Sequence, residues 1–237
     1  MTEQFINACK NGDIKTVKLL LIQPKVNPES NSELFDDRFR NRKCPADNNN
    51  AAFKAAADNN HYEIVKLLLI DQRADPGTHP RYSIQPSAAN NDIELVKLHL
   101  AHPKVNPADC KNESIIMTAL NGNIEIFNLL LSDSRVNPAD QNNIAIKYAA
   151  EHGHEEIVKI LLTRPEVNPA DNNHMAIKAA AENGRIKIVK ILSEYYYMHR
   201  YNIDGIINII DDRYNKIDLA ELRIHLESLD LIKYSGR

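Results

Sequence analysis

A proline recurs every 31 residues, at Pro45, Pro76, Pro107, Pro138 and Pro169, and a small turn residue keeps the same step at Asn60, Asn91, Gly122, Gly153 and Gly184. Self-similarity at a fixed period of this length marks an array of one supersecondary unit. Before each turn residue an apolar side chain (Phe53, Ile84, Ile115, Ile146, Ile177) is followed at helical spacing by small residues such as Ala56/Ala57, Ala149/Ala150 and Ala180/Ala181. That pattern predicts a thin first helix. After the turn, I-V-K-L-L-L or a close variant (Ile64 to Leu69, Ile157 to Leu162) predicts a second helix with a broad apolar stripe. Neither helix is long enough to stand alone, so each unit must bury its stripe against its neighbours. The expected fold is therefore all-α: a helix-turn-helix repeat solenoid of about six repeats.

The unit reads A-A-x-x-G-H-x-x-I-V-x-x-L-L, plainest at Ala149, Ala150, Gly153, His154, Ile157, Val158, Leu161 and Leu162, with V-N following at Val167 and Asn168. This resembles the ankyrin repeat, and the resemblance covers roughly residues 1 to 198. Two departures stand out. I-A-I-K (Ile144 to Lys147) or M-A-I-K (Met175 to Lys178) replaces the family's T-P-L-H. The connection is also shorter than that of the usual repeat of about 33 residues, so the resemblance does not imply a regular β-hairpin at its tip. The N-P-A-D-N-N-x-A-I-K wording is similar to that of ankyrin proteins of amoebal giant viruses (Mimivirus-like).

Taken in order, residues 1–28 form an N-terminal capping repeat, with Phe5, Ala8, Cys9, Gly12, Val17 and Leu20 on the template positions. Residues 29–44 break the register and read as an inserted loop, whose Leu34, Phe35 and Phe39 offer an apolar docking element among charges. Residues 45–198 hold five repeats. The third unit is eroded by Pro80 and Pro86, which predicts a shortened or displaced first helix capped at Ser83. In residues 199–237 the pattern fades, with Ile203 to Ile210 and then Leu219, Leu222 and Leu226 at helical spacing. This segment is expected to form a helical cap, a degenerate seventh unit turning at Asn215.

With 237 residues, 43% apolar content and a net charge of only −3, there is no basic field to draw in nucleic acid or an anionic membrane. Cys9, Cys44 and Cys110 are odd in number and lack C-x-x-C spacing, as in a reducing compartment. MTEQF has no leader character, and no apolar run approaches the roughly 18 residues of a membrane span. The expectation is a cytoplasmic monomer, in the host cytoplasm if the chain is viral.

No G-x-S-x-G, Walker loop or H-E-x-x-H appears, and His99, His102, His152 and His154 read as structural, so no cofactor, metal, small-molecule substrate or catalytic residue is assigned. Lys18, Lys66, Lys97, Lys159 and Lys190 repeat along the second helices, but Glu63, Glu94 and Glu156 precede three of them by three residues and neutralise them. What the family resemblance implies instead is a protein partner on the concave face, at the residues just before and just after each turn. Carried over, these are Asp58, Asn59, Tyr62, Asn90, Leu120, Asn121, Glu151, His152, Glu155, Glu182 and Asn183, with Leu120 the one apolar side chain expected to be exposed. The rival expectation is a structural or virion-assembly component that self-associates through Tyr195 to Tyr197 or the Ile203 to Ile210 cluster.

Overall fold

In a computed structural model of the chain, residues 2–22, 51–71, 76, 84–200, 202–210 and 218–235 are described, and every regular element among them is helical. The insertion with Leu34, Phe35 and Phe39, the cap position Ser83 and the turn at Asn215 lie outside the described residues. The helices pair along the chain. They are α1 (Thr2–Asn11) with α2 (Ile14–Leu21), α3 (Ala51–Asp58) with α4 (Tyr62–Asp71), α5 (Ile84–Ala89) with α6 (Ile93–Ala101), and α7 (Asp109–Asn121) with α8 (Ile124–Leu131). They continue with α9 (Asp140–His152) and α10 (Glu155–Leu162), α11 (Asp171–Glu182) and α12 (Ile186–Met198), and α13 (Ile203–Ile210) and α14 (Leu219–Ser235).

Each turn closes in the same way. The residue after the turn donates its backbone N–H to a carbonyl five residues back: Asp13 to Ala8, His61 to Ala56, Asp92 to Ser87, Asn123 to Thr118, His154 to Ala149 and Arg185 to Ala180. Between donor and helix sits a left-handed residue, Gly12, Asn60, Asn91, Gly122, Gly153 or Gly184, with φ from 58° to 89°. This is the Schellman end of a helix, which needs a residue that tolerates positive φ. The recurrent Gly or Asn of the sequence supplies it.

The chain divides into two compact units, Met1–Ser114 and Ile115–Arg237. In the first, α3 packs on α1 and α4 on α2, and α6 extends the second-helix layer. Its core joins Phe5, Ala8, Cys9, Val17 and Leu20 to Ala52, Phe53, Ala56, Ile64, Val65, Leu68 and Leu95. The eroded third repeat keeps only six residues of first helix in α5, with Pro86 in its first turn, where a missing N–H does no harm. In the second unit α11 lies along α9 and α12 along α10. α13 then packs on α11 and α14 on α12, with Ile206, Ile210, Leu222 and Leu226 wholly buried.

The connections explain the Asn-rich wording. In V-N-P-A-D the Asn side chain accepts from the backbone N–H two residues on (Asn106 from Ala108, 3.1 Å; Asn137 from Ala139, 3.0 Å; Asn168 from Ala170, 3.0 Å). At Asn106 and Asn168 the amide also donates to the Asp carboxylate, to Asp109 at 2.7 Å and to Asp171 at 2.6 Å. The proline between them has no N–H to satisfy. Three consecutive residues then take the left-handed conformation: Cys110 to Asn112, Gln141 to Asn143, and Asn172 to His174, with φ of 51° to 60°. Asn is among the few residues that enter this region at small cost, and five of these nine positions carry it. The short connection is thus a left-handed turn feeding the first helix, in place of a hairpin.

Candidate functional site

Consecutive repeats are stitched at the turns. The Nε2–H of His154 donates to the Leu120 carbonyl at 3.0 Å, and Arg185 Nε donates to that of Glu151 at 3.1 Å. In the first unit His61 Nε2 makes the equivalent bond to Lys10, at 3.0 Å. Each accepting carbonyl lies two residues before the turn glycine of the preceding repeat. The glycine is what leaves room for the reaching side chain. A Cβ on Gly12 would sit 2.8 Å from the His61 ring, one on Gly122 2.5 Å from His154, and one on Gly153 3.3 Å from Arg185. Where the following repeat offers a short residue, Asp92 or Asn123, the turn is Asn60 or Asn91 instead. Asp13 and Asp92 cap their own helices, accepting from the N–H of Thr16 and Leu95. His154 is therefore a stitching residue.

The connections are stitched as well. Asn143 is buried, accepts from the N–H of Asn168 at 2.9 Å and donates to the Asp171 carboxylate, while Asn172 donates to the Asn142 carbonyl at 3.0 Å. Tyr196 is buried with its hydroxyl donating to the Pro169 carbonyl at 2.8 Å. Buried polar groups that are satisfied in this way fix one arrangement of backbone.

On this frame the expected site residues fall into two groups, one in each unit. Asp58, Asn59, Tyr62 and Asn90 are exposed in the first. There a cleft of about 260 Å³ opens beside the shortened α5, with Phe53, Leu95 and buried His99 and Ser87 inside and Asp58 and Tyr62 at the edge. In the second unit Asn121, His152, Glu182 and Asn183 are exposed, and Glu151 and Glu155 half-buried. Leu120 departs from its expectation: it is half-buried, at the end of α7 that His154 of the next repeat reaches over to bond.

A groove of about 370 Å³ runs between α9 and α11 and brings Glu151 and Glu182 together with Lys147, Asn173, Met175 and Lys178. Sequence reasoning had not picked out the last four. Their signal was available, because Lys147/Glu151 and Lys178/Glu182 hold the same two template positions in adjacent repeats. Lys147 meets Glu151 at 2.5 Å and lies 4.6 Å from the centre of the Tyr148 ring.

Burial pushes the Cys9 thiol up to about 12, and burial together with Asp109 and Glu113 raises that of Cys110. Neither thiol is therefore a ready thiolate at neutral pH. Burial, with Lys178 nearby, lowers His174, whose ring meets that of Tyr196 edge-on at 5.5 Å. No group of three metal-ligating side chains occurs among the described residues, and no helix among them is long and apolar enough to cross a membrane. The cationic row of the second helices is partly neutralised, Lys66 by Glu63 of its own helix and by Glu94 of the next repeat, and Lys190 by Glu221. Pairs this exposed contribute little stability but do cancel the field.

The ankyrin-repeat family pattern matches the chain in three overlapping copies, over residues 53–142, 84–173 and 119–204. These cover more than half of the sequence, and the chain belongs to the ankyrin-repeat proteins. No curated protein matches it. Ankyrin repeats are generally protein–protein interaction modules.

Proposed function

We propose that this chain is a non-enzymatic docking protein that holds another protein at the residues flanking the turns of its repeats. The observation that carries the reading is the contrast at those turns. Backbone and core are locked by stitches such as His154 to Leu120, while the adjoining His152, Glu182 and Asn183 are exposed; the residue two before the turn changes along the array (Asp58, Ala89, Leu120, Glu151, Glu182), and the one just before it is Asn except at His152. A rigid scaffold bearing variable side chains loses little freedom on binding, which is how preorganised surfaces gain affinity.

The resemblance to giant-virus ankyrin proteins extends the proposal to a host-interaction or adaptor protein working as a monomer in the host cytoplasm, with no cofactor and no nucleic-acid or membrane partner. The insertion at Leu34, Phe35 and Phe39 is proposed as a second contact. Self-association through the C-terminal segment is disfavoured, because Tyr196, Ile206 and Ile210 are buried within the fold.

The test is capture from an amoebal lysate by three immobilised proteins: wild type, an inner-face variant (Glu151→Lys, His152→Ala, Asn183→Ala) and an outer-face variant (Lys159→Glu). A host protein held by wild type and Lys159→Glu but released by the inner-face variant is expected. Equal retention by all three, or concentration-dependent oligomers with no host protein, contradicts the proposal.

A further inference from the structure

The groove between α9 and α11 constrains its occupant further, an inference that rests on the docking role proposed above. Met175, Lys178 and Glu182 stand one helical turn apart on α11 and so lie along one line of its surface. Met175 is 44% exposed beside buried Ala179, giving an adaptable apolar contact. On α9, Lys147 and Glu151 close an ion pair. Lys178 and Glu182 have the same spacing, yet among the described residues neither is in an ion pair.

Lys178 and Glu182 thus leave a cation and an anion available one turn apart, next to an apolar side chain.

We propose that this groove receives a helical segment of the partner protein carrying an apolar, an acidic and a basic residue on successive turns, at i, i+3 or i+4, and i+7. The apolar side chain covers Met175 and Ala179, the carboxylate meets Lys178, and the ammonium or guanidinium meets Glu182. A helix laid along α11 matches its rise, since i to i+7 spans about 10.5 Å on both. An extended segment spans about 13.6 Å over two alternate-residue steps and falls out of register. The arrangement is a helix-in-groove mode with charge order setting the direction.

The experiment is a display library of helical peptides, randomised at i, i+3, i+4 and i+7 and selected on the full chain, then on Lys178→Glu/Glu182→Lys, with affinities measured by fluorescence anisotropy. Wild type is expected to enrich apolar–acidic–basic peptides and to prefer them about tenfold over the apolar–basic–acidic order, with the preference inverted by the double variant and weakened by Met175→Ala. Peptides that depend on His152 and Asn183 but show no charge order overturn this inference and leave the docking role standing. Selection that yields no peptide sensitive to any inner-face substitution overturns both.

Discussion

Gly122 and His154 form a pair whose energetics can be worked from the structure. Gly122→Asn changes little in the backbone, because Asn already occupies the same turn position at Asn60 and Asn91 with φ of 58° and 59°. The cost comes from the neighbour: the new Cβ sits 2.5 Å from the His154 Nδ1 and Cε1 atoms. The ring must swing away, and its 3.0 Å bond to the Leu120 carbonyl is lost. A neutral hydrogen bond is worth about 1 kcal/mol net, and displacing the packed ring brings the expected loss to about 1–2 kcal/mol. His154→Asp alone should be nearly neutral. It gives up that bond but supplies the side-chain cap that Asp92 makes to Leu95 and that His154 does not make, a gain of about 1 kcal/mol. In the His154→Asp background the cavity that Gly122 had to leave open is no longer needed. Gly122→Asn should then cost only a few tenths of a kcal/mol, a coupling of about 1 kcal/mol. Urea unfolding followed by far-UV circular dichroism on the four proteins of this cycle reads it directly. Equal costs of Gly122→Asn in the two backgrounds would refute the account of why the turn is glycine.

Asn173 is exposed and left-handed at φ 57°; Asn173→Val is expected to lower the urea midpoint by the equivalent of about 1–2 kcal/mol, and Asn173→Gly to leave it unchanged or raise it slightly. His174, held below its ordinary value by burial and Lys178, is neutral in both folded and unfolded chains above about 6.5. As pH falls below that, the unfolded chain takes up a proton first and stability drops. Wild type should therefore lose more stability between pH 7.5 and 5.5 than His174→Gln, and parallel losses would contradict the assignment. Deleting residues 200–237 removes Ile206, Ile210, Leu222 and Leu226 from the core; a lower melting temperature and new binding of an apolar dye are expected, and no change in either would show that α11 and α12 need no cover.

Much of this was legible in the sequence because a repeat states its rules several times over. The step of Asn60, Asn91, Gly122, Gly153 and Gly184 located the turns, the small residues before them a thin first helix, and Pro86 a shortened α5. The left-handed run from Gln141 to Asn143 was signalled only as turn chemistry, since Asn tolerates that conformation but Gln141, Cys110 and Lys111 give no such hint. Leu120 was read as exposed from its template position, yet its surroundings depend on His154, 34 residues away. The choice between Gly and Asn at each turn likewise follows from a residue of the next repeat. Met175 entered the sequence reading only as the start of M-A-I-K, and only packing shows that it faces a groove.

The central claim is that the residues flanking the turns, and not the remainder of the second helices, take the partner. Amide hydrogen exchange on the full chain, alone and saturated with the captured protein, tests it most directly. Docking there predicts slowed exchange in the segments ending α9 and α11, around Glu151–His152 and Glu182–Asn183, with α10 and α12 unchanged beyond their first turns. Protection confined to α10 and α12 would contradict it.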